Sequence, residues 1–147
     1  MRPFALCLFL LVLASAHCVA VEETVAGLKA RLEKARPEVC PELCIRIAQH
    51  QLRNADKLYN EGHVEEAQAA LDDVATYSEK ARDAAIQTNK RMKNVEIDTR
   101  KMAERLRDLK RTLAVEDQPP VEQAIRRLEE LRTSLLKEMF SKKDKKK

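Results

Sequence analysis

The stretch of this sequence best equipped for chemistry is Cys40-Pro41-Glu42-Leu43-Cys44. In an oxidising compartment two thiols four residues apart most simply close a disulfide. One helical turn brings their Cα atoms to about 6 Å, inside the range a bridge accepts. Cys40 is expected as the cap residue before Pro41, free to swing its Cβ toward Cys44. Closing so short a loop stabilises by about 2 kcal/mol and would help nucleate the helix that follows. A helix N-terminus also favours the thiolate, so redox activity is a second use of the pair. Cross-linking between two chains is a third.

A fourth use is metal handling, because exported copper carriers of the thioredoxin-like type use Cys-Pro-x-x-Cys with a distant histidine. Here His50 and His63 are the histidines available after the leader, and the strands of that fold are missing from the pattern. Other chemistry finds little to work with. The carboxylate pairs Glu65-Glu66, Asp72-Asp73 and Glu129-Glu130 are sequence neighbours, which do not face each other on a helix. Glu-x-x-His, His-Glu-x-x-His, Cys-x-x-Cys-His, a glycine-rich phosphate loop and Gly-x-Ser-x-Gly do not occur. The expectation is a protein without catalytic residues, cofactor or bound metal.

Charge is distributed unevenly. Residues 90–111 hold nine basic and four acidic side chains, whereas residues 61–73 contain five acids and no lysine or arginine. Residues 142–147 carry Lys142, Lys143, Lys145, Lys146 and Lys147 against Asp144. The formal charge of +4 is therefore that of the tail, and the pI of about 8.9 describes the body poorly. Such a tail is expected to be disordered and solvated. It would also be drawn to an anionic envelope surface, by about 1 kcal/mol per lysine. Only 3% of residues are aromatic, so bases would find few stacking partners, and nucleic acid is not an expected ligand.

These groups must be positioned by helices. Ala, Glu, Lys, Leu and Arg make up about 55% of the chain, a bias toward long helices or coiled coil. At the start, Met1-Arg2-Pro3 precedes an apolar run from Phe4 to Ala14 and then Ser15-Ala16-His17-Cys18-Val19-Ala20. That is the plan of a secretory signal peptide, too short to span a bilayer, which takes about 20 apolar residues. Cleavage is expected after Ala20, leaving one domain over residues 21–140 and a basic tail over 141–147.

Val25, Leu28 and Leu32 share a face of a short first helix that ends at Arg36-Pro37. A second helix starts at Pro41 and closes at Gly62. From Val64 to Leu113 apolar or small residues recur at alternating spacings of three and four, with no glycine or proline between. A 3.5-residue repeat that long predicts a continuous central helix over about 63–115. Its residues 64–113 alone would measure about 75 Å, against a radius of gyration near 14 Å for a compact domain of this size. The alternative is a bend near Asn89; the unbroken repeat favours elongation. Met92, Val95, Met102, Leu106, Leu109 and Leu113 then form a seam suited to self-association. After a turn at Asp117-Gln118-Pro119-Pro120, a last helix bears Val121, Ala124, Ile125, Leu128, Leu131, Leu135 and Met139 on one side.

Within residues 48–81, Ala55, Leu58, Tyr59, Gly62, Ala67, Leu71 and Val74 fall at the packing positions of a helical hairpin. This stretch resembles a tetratricopeptide-type unit, with Gln51 and Glu79 standing where that motif has tryptophan and proline. The resemblance covers one repeat, where a solenoid needs about three, and it implies a local helical hairpin. The whole chain is also similar to exported all-helical proteins of bacteria, a resemblance that implies a compartment and no activity. The expectation is an all-α, elongated bundle: a long central helix with a shorter antiparallel partner at each end. Its expected role is an exported interaction or scaffold protein of the cell envelope. A holdase-type chaperone is the alternative, and thiol redox or copper handling at Cys40/Cys44 a third.

Overall fold

The computed structural model describes residues 23–144, with side chains through Ser141. The expected signal peptide and Lys145–Lys147 lie outside the described residues. Five α-helices follow in order: α1 (Val25–Glu33), α2 (Cys40–Asn60), α3 (Val64–Thr88), α4 (Met92–Thr112) and α5 (Gln118–Asp144). A single 3-10 turn at Val115–Asp117 leads into α5, and no strand occurs among the described residues.

Each boundary has a local cause. Thr24 caps α1, its hydroxyl accepting from the Gly27 N–H at 3.1 Å. α2 begins with Pro41 in its first turn, where a missing N–H costs nothing. Its cap is Val39, so Cys40 lies inside the helix and does not cap it as the sequence suggested. Gly62, at φ 79°, ends α2, and the His63 N–H returns to the Leu58 carbonyl at 2.9 Å.

The same device appears again at Asn89, where the sequence offered a bend only as the alternative to an elongated helix. Asn89 takes the left-handed conformation at φ 55°, and the Lys90 N–H bonds back to the Ala85 carbonyl at 3.2 Å. Arg91, at φ 62°, is left-handed as well. Three residues therefore reverse the chain, and the continuous 63–115 helix is replaced by two. The heptad repeat concealed this break because the apolar positions stay in phase on both sides of it. Asn is among the few residues with a side chain that tolerates this region of the backbone.

Reversal converts the expected rod into a four-helix bundle of α2–α5. α2 packs antiparallel to α3, its closest partner, and α4 packs antiparallel to α5. α3 also lies against α5, and α4 against α2. Arg127 of α5 grips α3 through a bidentate pair to Glu79 (2.9 and 3.0 Å) and a bond to Asp72 at 3.0 Å. Arg132 ties α5 to Glu96 of α4 at 2.7 Å. Glu96 thus pairs across helices and not with Arg100 one turn away, as the spacing alone would suggest. At the start of α4, Arg91 meets Glu42 of α2 at 2.9 Å.

The core has two textures. Between α2 and α3 it is built on alanine: Ala48, Ala55, Ala67, Ala75, Ala81 and Ala85 are fully buried, which lets the two backbones approach closely. Around α5 it is leucine-rich, with Leu106, Leu128 and Leu135 at zero exposure. Thr99 is also wholly buried, and its hydroxyl has no hydrogen-bond partner among the described residues. α5 continues to Asp144, so residues 141–144 are helical where a disordered tail was expected.

Candidate functional site

The cysteine pair sits at the first turn of α2. Cys40 is half-buried and its Sγ–H donates to the Arg36 carbonyl at 3.4 Å, away from Cys44. Cys44 is 2% exposed within the main core. Both thiols are free, so the expected bridge is not formed. Two helical residues one turn apart hold their Cβ atoms about 5–6 Å from each other. A disulfide needs about 3.5–4.5 Å, and with both cysteines inside the helix neither can swing to close that gap. Burial pushes the Cys44 thiol up to about 11, reinforced by Cys40 and opposed by Lys80. A buried thiol held protonated is a poor nucleophile.

That shift has a testable sign. Folding keeps the proton on Cys44 while the unfolded chain releases it near the ordinary value of 9.0. Stability from this group is whole below pH 9 and is lost as pH rises through about 11. The loss is on the order of 2 kcal/mol. Denaturant titrations across that window should show Cys44→Ala losing less stability than the unsubstituted chain; parallel curves would refute the assignment.

The seam proposed for self-association is consumed inside the chain. Val95, Met102, Leu106 and Leu109 are between 0 and 7% exposed, and Met92 and Leu113 pack against the same core. Folding back at Asn89 places α5 and α2 where a second copy was expected, and this surface is not available to a partner. The basic stretch of α4 is likewise partly neutralised within the molecule. Arg107 pairs with Glu129 and Lys110 with Glu122, and the Lys110 ammonium holds the Glu122 carboxyl below the usual range.

Open clefts line the α2–α4 contact. One, of about 260 Å³, is bounded by Leu52, Asp56, Arg105, Asp108, Leu109 and Thr112. Another, of about 250 Å³, includes Glu42, Ile45, Arg46, Arg91 and Asp98. Acids and bases alternate along both rims, an arrangement that neutralises charge and does not focus it on one point. Among the described residues no group of three or more His, Cys, Asp or Glu side chains is placed to hold a metal ion. No helix there is long and apolar enough to cross a membrane.

The end of α5 is different. It runs antiparallel to α4, which it meets at Lys110–Glu122 and again at Glu96–Arg132. Its last turns lie past the Glu96–Arg132 pair, toward the end of the bundle at which α4 begins. Phe140 stands there 63% exposed. Lys142 and Lys143 follow in the same helix, by backbone. Sequence reasoning missed Phe140, although a signal existed: it lies one residue past the Val121–Met139 stripe and so about 100° off the buried face.

The chain matches no protein-family model, no curated protein and no solved structure. The tetratricopeptide resemblance accordingly reduces to what α2 and α3 display, an antiparallel hairpin joined at Gly62.

Proposed function

We propose that this is an exported, non-catalytic scaffold protein of the cell envelope, secreted or periplasmic after removal of residues 1–20. The C-terminal end of α5 holds it to an anionic surface while the bundle faces meet protein partners. The observation that carries this reading is Phe140, a large apolar side chain left in water beside a lysine-rich helix end. Amphipathic attachment of this kind combines apolar burial with attraction of cations to anionic lipid. Five lysines in the last six residues supply the second part.

Vesicle co-sedimentation tests it. The chain should bind vesicles containing phosphatidylglycerol and ignore those of phosphatidylcholine alone, with binding reduced steeply by salt. Phe140→Ala should weaken binding roughly tenfold, equivalent to about half the burial of a phenylalanine side chain. Equal binding to both vesicle types, or to neither, would sink the proposal.

A further inference from the structure

We propose that copies of this chain associate head to tail, the acidic end of one bundle receiving the basic end of a second copy. Head-to-tail contact uses the Phe140 end that is also proposed to meet an anionic surface, and it does not depend on that surface.

The connections of the bundle gather at its two ends. The α2–α3 and α4–α5 turns share one, where Gln68 of α3 and Pro120 of α5 line a common cleft. The α3–α4 reversal shares the other with the start of α2, to which Arg91 and Glu42 tie it, and with the last turns of α5. Charge is sorted between them. Residues 61–66 and 113–120 hold five acids and no lysine or arginine. Residues 88–93 hold three bases and no acid, and the sequence from Lys137 onward carries six lysines against two acids. α3 alone, with 25 residues, separates the two ends by about 37 Å. Screening in 0.1 M salt reaches only about 10 Å, so the ends do not satisfy each other within one molecule. A second copy can.

Local pairing leaves charge over at both ends. The bases nearest the acidic end, Lys57, Lys110 and Arg111, are taken by Glu61, Glu122 and Asp108. Glu65 and Glu116 make no ion pair among the described residues, and neither do the exposed Lys90, Lys93 and Lys137. Apolar exposure is sorted the same way. The large apolar side chains left in water among the described residues are Val115 at the acidic end and Val39 and Phe140 at the basic one. None of them stands on a side of the bundle, so side-by-side pairing has no apolar anchor. Contact between unlike ends covers an apolar residue on each and sets opposite charges around it, whereas like ends repel. Such a contact is heterologous and does not close on itself. Its small end-on area makes it weak, with a dissociation constant on the order of 10⁻⁴ M.

Sedimentation velocity tests this. At low ionic strength the weight-average mass should climb past that of a dimer between about 0.1 and 1 mM, and return to the monomer in about 0.5 M salt. Glu65→Lys, Val115→Lys and Glu116→Lys together remove the acceptor end. Lys90→Glu, Lys93→Glu, Lys137→Glu and Phe140→Ala together remove the donor end. Each set alone should stay monomeric with an unchanged far-UV spectrum, and a mixture of the two should form a one-to-one complex and grow no further. Val115→Lys alone, at an exposed turn position, should weaken association several-fold, which keeps the test open if a multiple variant fails to fold. The acceptor-end variant should still bind anionic vesicles, so loss of vesicle binding and loss of assembly are read separately. A chain that stays monomeric at 1 mM, or assembly indifferent to salt, would overturn the proposal. So would growth that stops at a dimer, which would assign the contact to the sides of the bundle, or variants that do not pair when mixed.

Discussion

Replacing Leu128 by alanine should lower the unfolding free energy by about 3 kcal/mol, within the range of about 2–5 found for buried leucines. Leu128 is fully buried in the main cluster, on the helix that contacts both α3 and α4. Domains of this size have only about 5–15 kcal/mol in hand, so the midpoint of a urea titration should move visibly. The informative readout is tyrosine fluorescence. The chain has no tryptophan and two tyrosines, Tyr59 in α2 and Tyr77 in α3. In a bundle closed by the reversal at Asn89, damage in α5 must reach them, and their transition should shift together with the far-UV signal. A tyrosine transition that stays in place while helicity is lost in two steps would restore the elongated arrangement, with independent ends.

The double substitution Asn89→Ala, Arg91→Ala should turn the protein into an exchanged dimer. An L-residue in the left-handed region costs about 1–2 kcal/mol, and alanine lacks the side-chain compensation of asparagine. It also favours continuation of the helix. Because the heptad phase is preserved across residues 88–92, a fused α3–α4 helix is compatible with the sequence. Each copy would then place its α4–α5 pair on the α2–α3 pair of the other, retaining the core while relieving the turn. Domain exchange is a low-cost route to dimers of this kind. Light scattering should report a doubled mass at tens of micromolar, and Asn89→Gly with Arg91→Gly should remain monomeric. A monomeric, merely less stable alanine variant would show that packing alone enforces the reversal.

Helix content, the α2–α3 and α4–α5 pairings and most core positions were legible from periodicity, while the buried Leu43, Ile45, Ala70, Ala75 and Ala103 were not. Gly62 announced its turn because glycine is punctuation. Asn89 offered a bend only as the less favoured alternative, since an asparagine inside an unbroken repeat reads equally as a tolerated polar residue. The topology depended on that single position, and with it the fate of the seam: Val95 to Leu109 look identical whether they meet a second chain or α5. Cys40 and Cys44 were legible as a pair, but whether a thiol at i and a thiol at i+4 can bond depends on which of them is inside the helix. That boundary, between Val39 and Cys40, is finer than pattern can fix. Phe140 was hidden for a related reason, because exposure at a helix end depends on where the neighbouring helix stops.

The order of pairing has a temporal consequence. The tightest contact in the molecule joins consecutive helices across the three-residue connection at Gly62, and the second hairpin joins the next two helices. Contacts between sequence neighbours cost little chain entropy to form, and helical proteins of this kind reach their native state in microseconds to milliseconds. Residues add to a growing chain at about 5–20 per second. Each hairpin would therefore close long before synthesis of the next is complete. A protein destined for passage through a narrow channel would then depend on capture before α3 is finished, or on a leader that keeps the first hairpin apart until it has crossed.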